Sequence, residues 1–282
     1  LVSADKIEVY TDFENVYDLD DPRPYFRALR PADYRMPEVT TGYLSHHQAT
    51  IARFLGKERL RLLDLACGFG TNGALLGHHL ALSELYAFYE ADAAGPLPEA
   101  DRRFFAAKRK APPRFEVGGL DIARNALEYG LACGFMDHAF ADNLLETPAS
   151  PELRRFVAQT DIIFEVGAVI EILIPGLRAL LELDEASHRP WLLLSPRCDV
   201  DADPLWRFLE TSGYRVEKTN RRPVRYRRLL GEKERALLLE RVQALGRDPA
   251  DTFDGDYFTL DLYLARPKPH AADLPIDELP FE

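Results

Sequence analysis

Cysteine is scarce in this chain: three residues in 282, Cys67, Cys133 and Cys198. No two stand at CxxC spacing, and an odd, scattered set argues against a zinc site or a disulfide framework and for a reducing compartment. Positive charge is also short, with 35 Lys and Arg against 46 Asp and Glu and a net charge of −11. Such a surface repels phosphate backbones, so nucleic acid is not the expected partner, although a local basic site remains compatible with it. Long apolar runs are missing. The longest, from Ile162 to Ile174, is broken by Glu165 and Glu171 and is too short to span a bilayer. The opening LVSADKIEVY has no basic stretch leading into an apolar one, so no signal peptide is read there. There are no repeats and no low-complexity segments. These absences together lead to the expectation of a cytoplasmic protein that uses neither membrane nor nucleic acid.

What remains is ordinary globular composition, 46% hydrophobic and 29% charged, in a length suited to one large α/β unit. From Leu60 onward, short apolar runs alternate with helix-period segments, the pattern of βαβ units on a mainly parallel sheet. Strands are expected at Leu60–Ala66, Phe115–Asp121, His138–Asp142, Asp161–Val166 and Trp191–Ser195. Helices are expected at Leu44–Leu55, Ile122–Cys133, Val169–Ala186 and Glu232–Leu245. The runs Tyr214–Lys218 and Tyr257–Leu264 alternate apolar and polar residues, which suits edge or antiparallel strands. Residues 1–59 read as an aromatic-rich lid segment, with Tyr17, Tyr25, Phe26 and Tyr34 among its rings, and 83–113 as a helical insertion. Residues 267–282, with four prolines, read as a loosely attached tail.

The most informative segment is Asp64-Leu-Ala66-Cys67-Gly68-Phe69-Gly70-Thr71-Asn72. Glycines directly after a buried strand permit a tight turn and bring a ligand close to bare backbone. A helix starting near Thr71 favours an anionic group, either a pyrophosphate or an amino-acid carboxylate. Gly68, Gly70 and Gly73 satisfy the GxGxxG spacing, so spacing alone leaves a nicotinamide dinucleotide open, with Glu90 at the customary distance for a ribose-binding acid. Asp64, however, sits at the strand end, where it would repel a pyrophosphate but accept from an ammonium or a hydroxyl. A second acid, Asp121, closes the next strand-like run, Gly118-Gly119-Leu120.

At these residues the sequence resembles the class I S-adenosylmethionine-dependent methyltransferases. The resemblance covers roughly residues 45–266 and implies a Rossmann-like sheet of seven mostly parallel strands, flanked by helices, with the last strand antiparallel. It implies S-adenosylmethionine as cofactor, with Asp64, Ala66, Gly68, Phe69 and Gly70 in the first motif. Asp121 and Ile122 follow at the ribose and Asp142 and Asn143 near the adenine, and the fourth strand begins with an acid, Asp161; Glu165 stands at that strand's end, facing the ligand crevice. Ala66 replaces the family's usual glycine. Asp121 also stands farther from the turn than is customary, which the insertion at 83–113 accounts for.

Other candidates lie outside these motifs. Glu165 could act as a base or hold the cofactor's ammonium, and His46 or His47 could serve as a general base if a lid closes over the sulfonium. Asp199, Asp201, Asp203 and Glu210 echo a calcium loop, but Pro204 stands where such a loop needs glycine, and no metal is expected. Arg221, Arg222, Arg225, Arg227 and Arg228 are a basic cluster in an acidic protein. They read as a solvated strand face or as a site for a carboxylate-bearing acceptor or an acidic carrier protein. No Asn/Asp-Pro-Pro-Tyr/Phe sequence follows the fourth strand, which favours a small-molecule acceptor over a nucleic-acid base. The expected activity is methyl transfer to a small molecule. A non-methylating use of S-adenosylmethionine, an NAD(P)-dependent oxidoreductase and a non-catalytic binding protein are the rivals.

Overall fold

A computed structural model describes residues 16–91, 99–167, 170–183 and 189–281. Two helices, α1 (Arg23–Leu29) and α2 (Met36–Leu55), precede the first strand, each with a proline in its first turn, where a missing N–H costs nothing. The second begins eight residues earlier than its expected start at Leu44 because Pro37 supplies that first turn. Strand and helix then alternate: β1 (Leu60–Leu65), α3 (Thr71–Gly77), α4 (Leu82–Glu90), α5 (Glu99–Ala106), β2 (Phe115–Leu120), α6 (Arg124–Ala132), β3 (His138–Phe140), α7 (Pro151–Val157), β4 (Ile162–Glu165), α8 (Ile170–Leu181), β5 (Trp191–Leu194), α9 (Asp203–Thr211) and β6 (Tyr214–Lys218). The chain continues through β7 (Val224–Arg228), α10 (Glu232–Ala244), β8 (Phe253–Asp254), β9 (Tyr257–Leu260), β10 (Tyr263–Pro267) and α11 (Lys268–Asp273). Within the stretch 83–113, α4 and α5 are helical, and residues 92–98 lie outside the described residues.

Seven strands form one sheet in the order β3-β2-β1-β4-β5-β10-β6. β1 runs parallel to β2 and β4, whereas β10 is antiparallel to both β5 and β6. The central strands are apolar on both faces because helices cover both. Leu60, Leu62, Ile162, Phe164, Trp191 and Leu193 pack into one core with Tyr43, Leu44 and Ile51 of α2. The alternate residues Leu63, Ile163, Leu192 and Leu194 pack into a second core with α7, α8 and α9.

Two expectations are corrected here. The alternating run Tyr257–Leu264 is not one strand. It breaks at Asp261 and Leu262, so that β9 joins a separate three-stranded sheet, β7-β9-β8, while β10 enters the interior of the large one. The period-2 pattern persists through the break because both halves are half-buried strands. The tail is not loose either. Leu274 and Leu279 are buried in the α2-side core, the Tyr43 hydroxyl donates to the Leu279 carbonyl at 3.1 Å, and the Phe281 amide donates to the Thr219 carbonyl at 3.0 Å. Pro267 ends β10, Pro269 lies in the first turn of α11, and Pro275 follows the buried Leu274, so the prolines delimit elements of a packed segment, which composition alone concealed.

Candidate cofactor and acceptor site

The carboxyl ends of β1, β2, β4 and β5 converge where β1 passes into α3. After Leu65 the backbone turns left-handed three times, at Ala66 (φ 60°), Gly68 (φ 52°) and Gly70 (φ 77°). For alanine this conformation costs about 1–2 kcal/mol, a strain that characteristically sits at functional sites. The turn is tied to the end of β2: the Ala66 and Cys67 amides both donate to the Leu120 carbonyl, at 2.8 and 3.3 Å. The Asp121 carboxylate accepts the Gly68 amide on Oδ2 at 2.8 Å and the Ala123 amide on Oδ1 at 2.9 Å. Asp121 thus stands directly beside the turn. Its bond to Ala123 delays the following helix to Arg124 and leaves Ile122, expected as the first helical residue, 66% exposed beside it.

Glu90 is elsewhere, at the end of α4 in a surface ion pair with Arg30 at 2.8 Å. Its sequence distance from the turn was misleading because β2 begins only after α4 and α5.

Asp64, on β1, is buried and accepts both Nδ2 contacts from Asn72 of α3, at 3.0 and 3.2 Å. Burial pushes its carboxyl up to about 8, helped by Asp121 and Glu165 and opposed by the Asn72 amide. The Asn72 Oδ1 atom is buried and accepts no hydrogen bond. A buried acceptor left open beside a carboxyl with raised affinity for a proton suits an ammonium group. A β-carbon built at Gly68 would meet only the Tyr17 ring, at 3.8 Å, so a ligand can approach this backbone closely. The residues present therefore fit an amino-acid end at Asp64 and Asn72 and ribose hydroxyls at Asp121.

Beside the turn lies a cavity of about 210 Å³. Tyr17, Tyr25, Tyr34 and Tyr226 line it, with Arg197, Arg227, Thr71, Asn72 and the turn residues Ala66, Cys67 and Gly68. The Tyr34 hydroxyl donates to the Val166 carbonyl at 3.1 Å, and its ring meets Tyr226 edge-on at 5.4 Å. Burial raises the hydroxyls of Tyr25 and Tyr34 well above the usual range, which keeps them neutral donors. Arg197, after β5, is held by Asp199 through Nε at 2.8 Å and Nη2 at 2.7 Å, and Arg241 of α10 reaches the same carboxylate at 3.2 Å. Arg227 is held by the buried Glu234.

A β-bulge between Arg225 and Arg227 explains how two successive residues, Tyr226 and Arg227, both face inward. The expected alternation of the arginine cluster fails there. Arg225 pairs with Asp254 at 2.7 Å and Arg228 donates to the Tyr257 hydroxyl at 3.2 Å, both on the exposed face. Arg197 and the tyrosines of residues 17–34 were not singled out as ligands. Their signal was position: a strand-end arginine, and an aromatic preamble with a sheet edge to cover.

Several expected site residues do other work. Phe69 is buried against Tyr25 and Tyr129, and its ring does not line the cavity. Both Asp142 oxygens accept from Ser150, the Oδ1 atom from its amide at 2.6 Å and the Oδ2 atom from its hydroxyl at 3.1 Å, which fixes the start of α7. Asn143 accepts the Leu145 amide at 3.2 Å in a local turn. Glu165 is fully buried and accepts the Ser195 amide, joining the ends of β4 and β5 rather than lining the cavity. His46 is exposed on α2, and His47 is buried with Nε2 2.7 Å from the Pro280 carbonyl. Neither histidine lines the cavity: they lie two to three turns beyond Pro37, the α2 residue that does, among the folded tail. Among the described residues no group of three or more His, Cys, Asp or Glu could hold a metal ion, and Asp199 is engaged by arginines.

The sheet order, with its antiparallel strand between β5 and β6, is a Rossmann-like arrangement of seven mostly parallel strands flanked by helices, as expected. No family model and no curated protein matches the chain. Among solved structures, the chain is similar to a SAM-dependent methyltransferase from Aquifex aeolicus, with 16% identity, 91% of this chain and 99% of that one covered, and a TM-score of 0.38. It is also similar to the magnesium protoporphyrin IX methyltransferase of Synechocystis PCC 6803 with bound SAM, with 15% identity, 92% and 99% coverage, and a TM-score of 0.39. A TehB-like SAM-dependent methyltransferase from Corynebacterium glutamicum shares 12% identity over 81% of this chain and 96% of that one, with a TM-score of 0.38.

Proposed function

We propose that this chain is an S-adenosylmethionine-dependent methyltransferase whose acceptor is a small molecule bound in the tyrosine-lined cavity. The observation that carries this reading is the left-handed turn at Ala66, Gly68 and Gly70, bonded to Asp121 and bordering the cavity. When bound, the cofactor supplies an electrophilic methyl group on a sulfonium. Asp121 retains lone pairs for the ribose hydroxyls, while Asp64 and the open Asn72 Oδ1 receive the ammonium. Tyr17 stands over Gly68 and Tyr25 packs on Phe69 of the turn, which supports a covering role for this part of the chain. Aligned displacement needs little beyond this: holding nucleophile and methyl in line supplies on the order of 7–11 kcal/mol. The concave, tyrosine-lined cavity and the net charge of −11 support a small molecule over a nucleic acid. Three free cysteines, two of them buried, favour the reducing cytoplasm.

The test is thermal unfolding with S-adenosylhomocysteine, NAD and NADP in parallel. At 100 times its dissociation constant a ligand adds about 2.7 kcal/mol of stability. The homocysteine product should raise the melting temperature, Asp121→Asn should remove most of that rise, and Glu90→Gln should retain it. A rise with NAD alone, or one insensitive to Asp121, would overturn the reading.

A further inference from the structure

A second cavity, of about 900 Å³, opens at the far end of the sheet from the turn, between α2, the end of α3 and the loop 110–115 that leads into β2. Its volume falls in the range of small-molecule sites. The loop is fastened to α3: the Lys110 amide donates to the Gly77 carbonyl at 2.9 Å, and the His79 amide to the Lys108 carbonyl at 2.7 Å. The Lys110 ammonium donates to the Leu75 and Leu76 carbonyls, at 2.9 and 3.1 Å, and so closes the last turn of the helix. An ammonium has three protons, which leaves one for the cavity that Lys110 borders. Burial, and then the charge of Arg114, lower the affinity of this ammonium for its proton. Arg114 is exposed on the same lining, and among the described residues no carboxylate forms an ion pair with either cation. Arg59, also on the lining, is engaged by Asp137 at 3.1 Å, and the exposed Glu58 stands beyond ion-pair distance of Lys110 and Arg114. From α2, Gln48 borders the cavity at 7% exposure, and among the described residues its amide has no hydrogen-bond partner. A buried amide left open costs stability, so this one calls for a group from outside the chain.

We infer that this cavity is a second ligand site, for a small organic phosphate, with Lys110 and Arg114 receiving the phosphate group and Gln48 bonding the body of the ligand. Two cations without a carboxylate partner match the charge of about −1.5 to −2 that a phosphate monoester carries at neutral pH. A carboxylate brings a single charge and would leave one of them uncompensated. Lysine receives phosphate as a point charge, whereas the guanidinium of Arg114 can bond two of its oxygens at once. Leu76, Phe115 and the adjacent Pro112 and Pro113 make the rest of the wall apolar, which suits an organic body over a free inorganic ion. The site stands apart from the tyrosine-lined cavity, with which it shares no lining residue, and its assignment does not depend on the cofactor reading.

The test is calorimetric titration of the full chain with phenyl phosphate, inorganic phosphate and benzoate at constant ionic strength. Phenyl phosphate should bind about tenfold more tightly than inorganic phosphate, because its ring buries apolar area. It should also bind more tightly than benzoate, which carries the ring with half the charge. Arg114→Gln should raise Kd for phenyl phosphate about tenfold, as expected for a lost charge-assisted bond. The Arg114 side chain is exposed and forms no ion pair among the described residues, so this variant keeps the fold. Gln48→Leu should weaken binding of phenyl phosphate while the unliganded chain unfolds at the same temperature or higher, since an unpartnered buried amide has been removed. Affinity for inorganic phosphate or benzoate equal to or above that for phenyl phosphate, no binding of phenyl phosphate, or an affinity for it unchanged in either variant would overturn the proposal.

Discussion

Replacing Asp64 by asparagine should change how stability depends on pH more than it changes stability at any one pH. Asp64 is fully enclosed, its neighbours include Asp121 and Glu165, and its carboxyl is pushed up to about 8 from an ordinary 3.8. Below pH 4 the folded and unfolded chains both hold the proton, and the contribution to stability is complete. As pH rises, the unfolded chain releases its proton first while the folded chain retains it. Stability then falls by about 1.4 kcal/mol per pH unit until the folded carboxyl also ionises near pH 8. Between pH 5 and pH 8 this amounts to about 4 kcal/mol, a large part of the roughly 5–15 kcal/mol that holds a domain together. Asparagine keeps the shape and can still accept from Asn72 Nδ2, but it cannot ionise. Urea unfolding of both proteins at the two pH values gives the answer, since titrating groups remote from Asp64 contribute equally to each and cancel. The wild-type chain should lose about 4 kcal/mol more than Asp64→Asn over this interval. Parallel pH profiles would mean that Asp64 is solvated or already paired with a cation, and the account of the ammonium pocket would fall with it.

Two further predictions concern the parts that hold the site in place. Leu279→Ala should cost about 2–5 kcal/mol in denaturant unfolding, as expected for a leucine at 0% exposure in a packed core; a cost below 0.5 kcal/mol (~ surface behaviour) would return residues 267–281 to a loose tail. Arg23 of α1 makes a buried bidentate pair with Asp101 of α5, at 3.1 and 3.0 Å, and Tyr129 also donates to Asp101. Arg23→Met alone should cost about 3–5 kcal/mol because it strands a buried carboxylate, and adding Asp101→Leu should recover much of that loss. Additive effects in the double variant, read by thermal unfolding, would contradict the pairing.

How much of this was legible in the sequence follows from how local each signal is. The first strand and its turn could be read because Gly68 and Gly70 demand left-handed backbone directly after an apolar run, a constraint contained within ten residues. Asp121 could be chosen over Glu90 because strand and helix periodicities differ on either side of it. The bulge in β7 could not be foreseen, since Arg225 to Arg228 has the same composition with or without it, yet the bulge decides that Arg227 faces inward and Arg225 outward. Asp142, Asn143 and Glu165 fell at the correct strand ends, but the partner each finds in the fold decides whether such a carboxylate or amide faces a ligand or fastens the chain, as Leu145 does for Asn143 in a local turn. Ser150 and Ser195 made that decision here. His47, read as a base only if a lid closes over the sulfonium, is engaged instead by the Pro280 carbonyl, 233 residues away.

The passage from β9 to β10 has a mechanical consequence. Only Asp261 and Leu262 separate β9, which pairs with the Arg227-bearing β7, from β10 inside the main sheet. Both are clamped by Asn220, whose Nδ2 donates to Asp261 at 2.9 Å and whose Oδ1 accepts the Leu262 amide at 2.8 Å. The two sheets are therefore joined by a two-residue splice that one asparagine holds on both sides, which ties β7 and its Arg227 to the main sheet. On the opposite side of the cavity Tyr17 stands over Gly68, and its neighbour Asp18 accepts two hydrogen bonds from Asn125, so that segment is fastened by surface contacts.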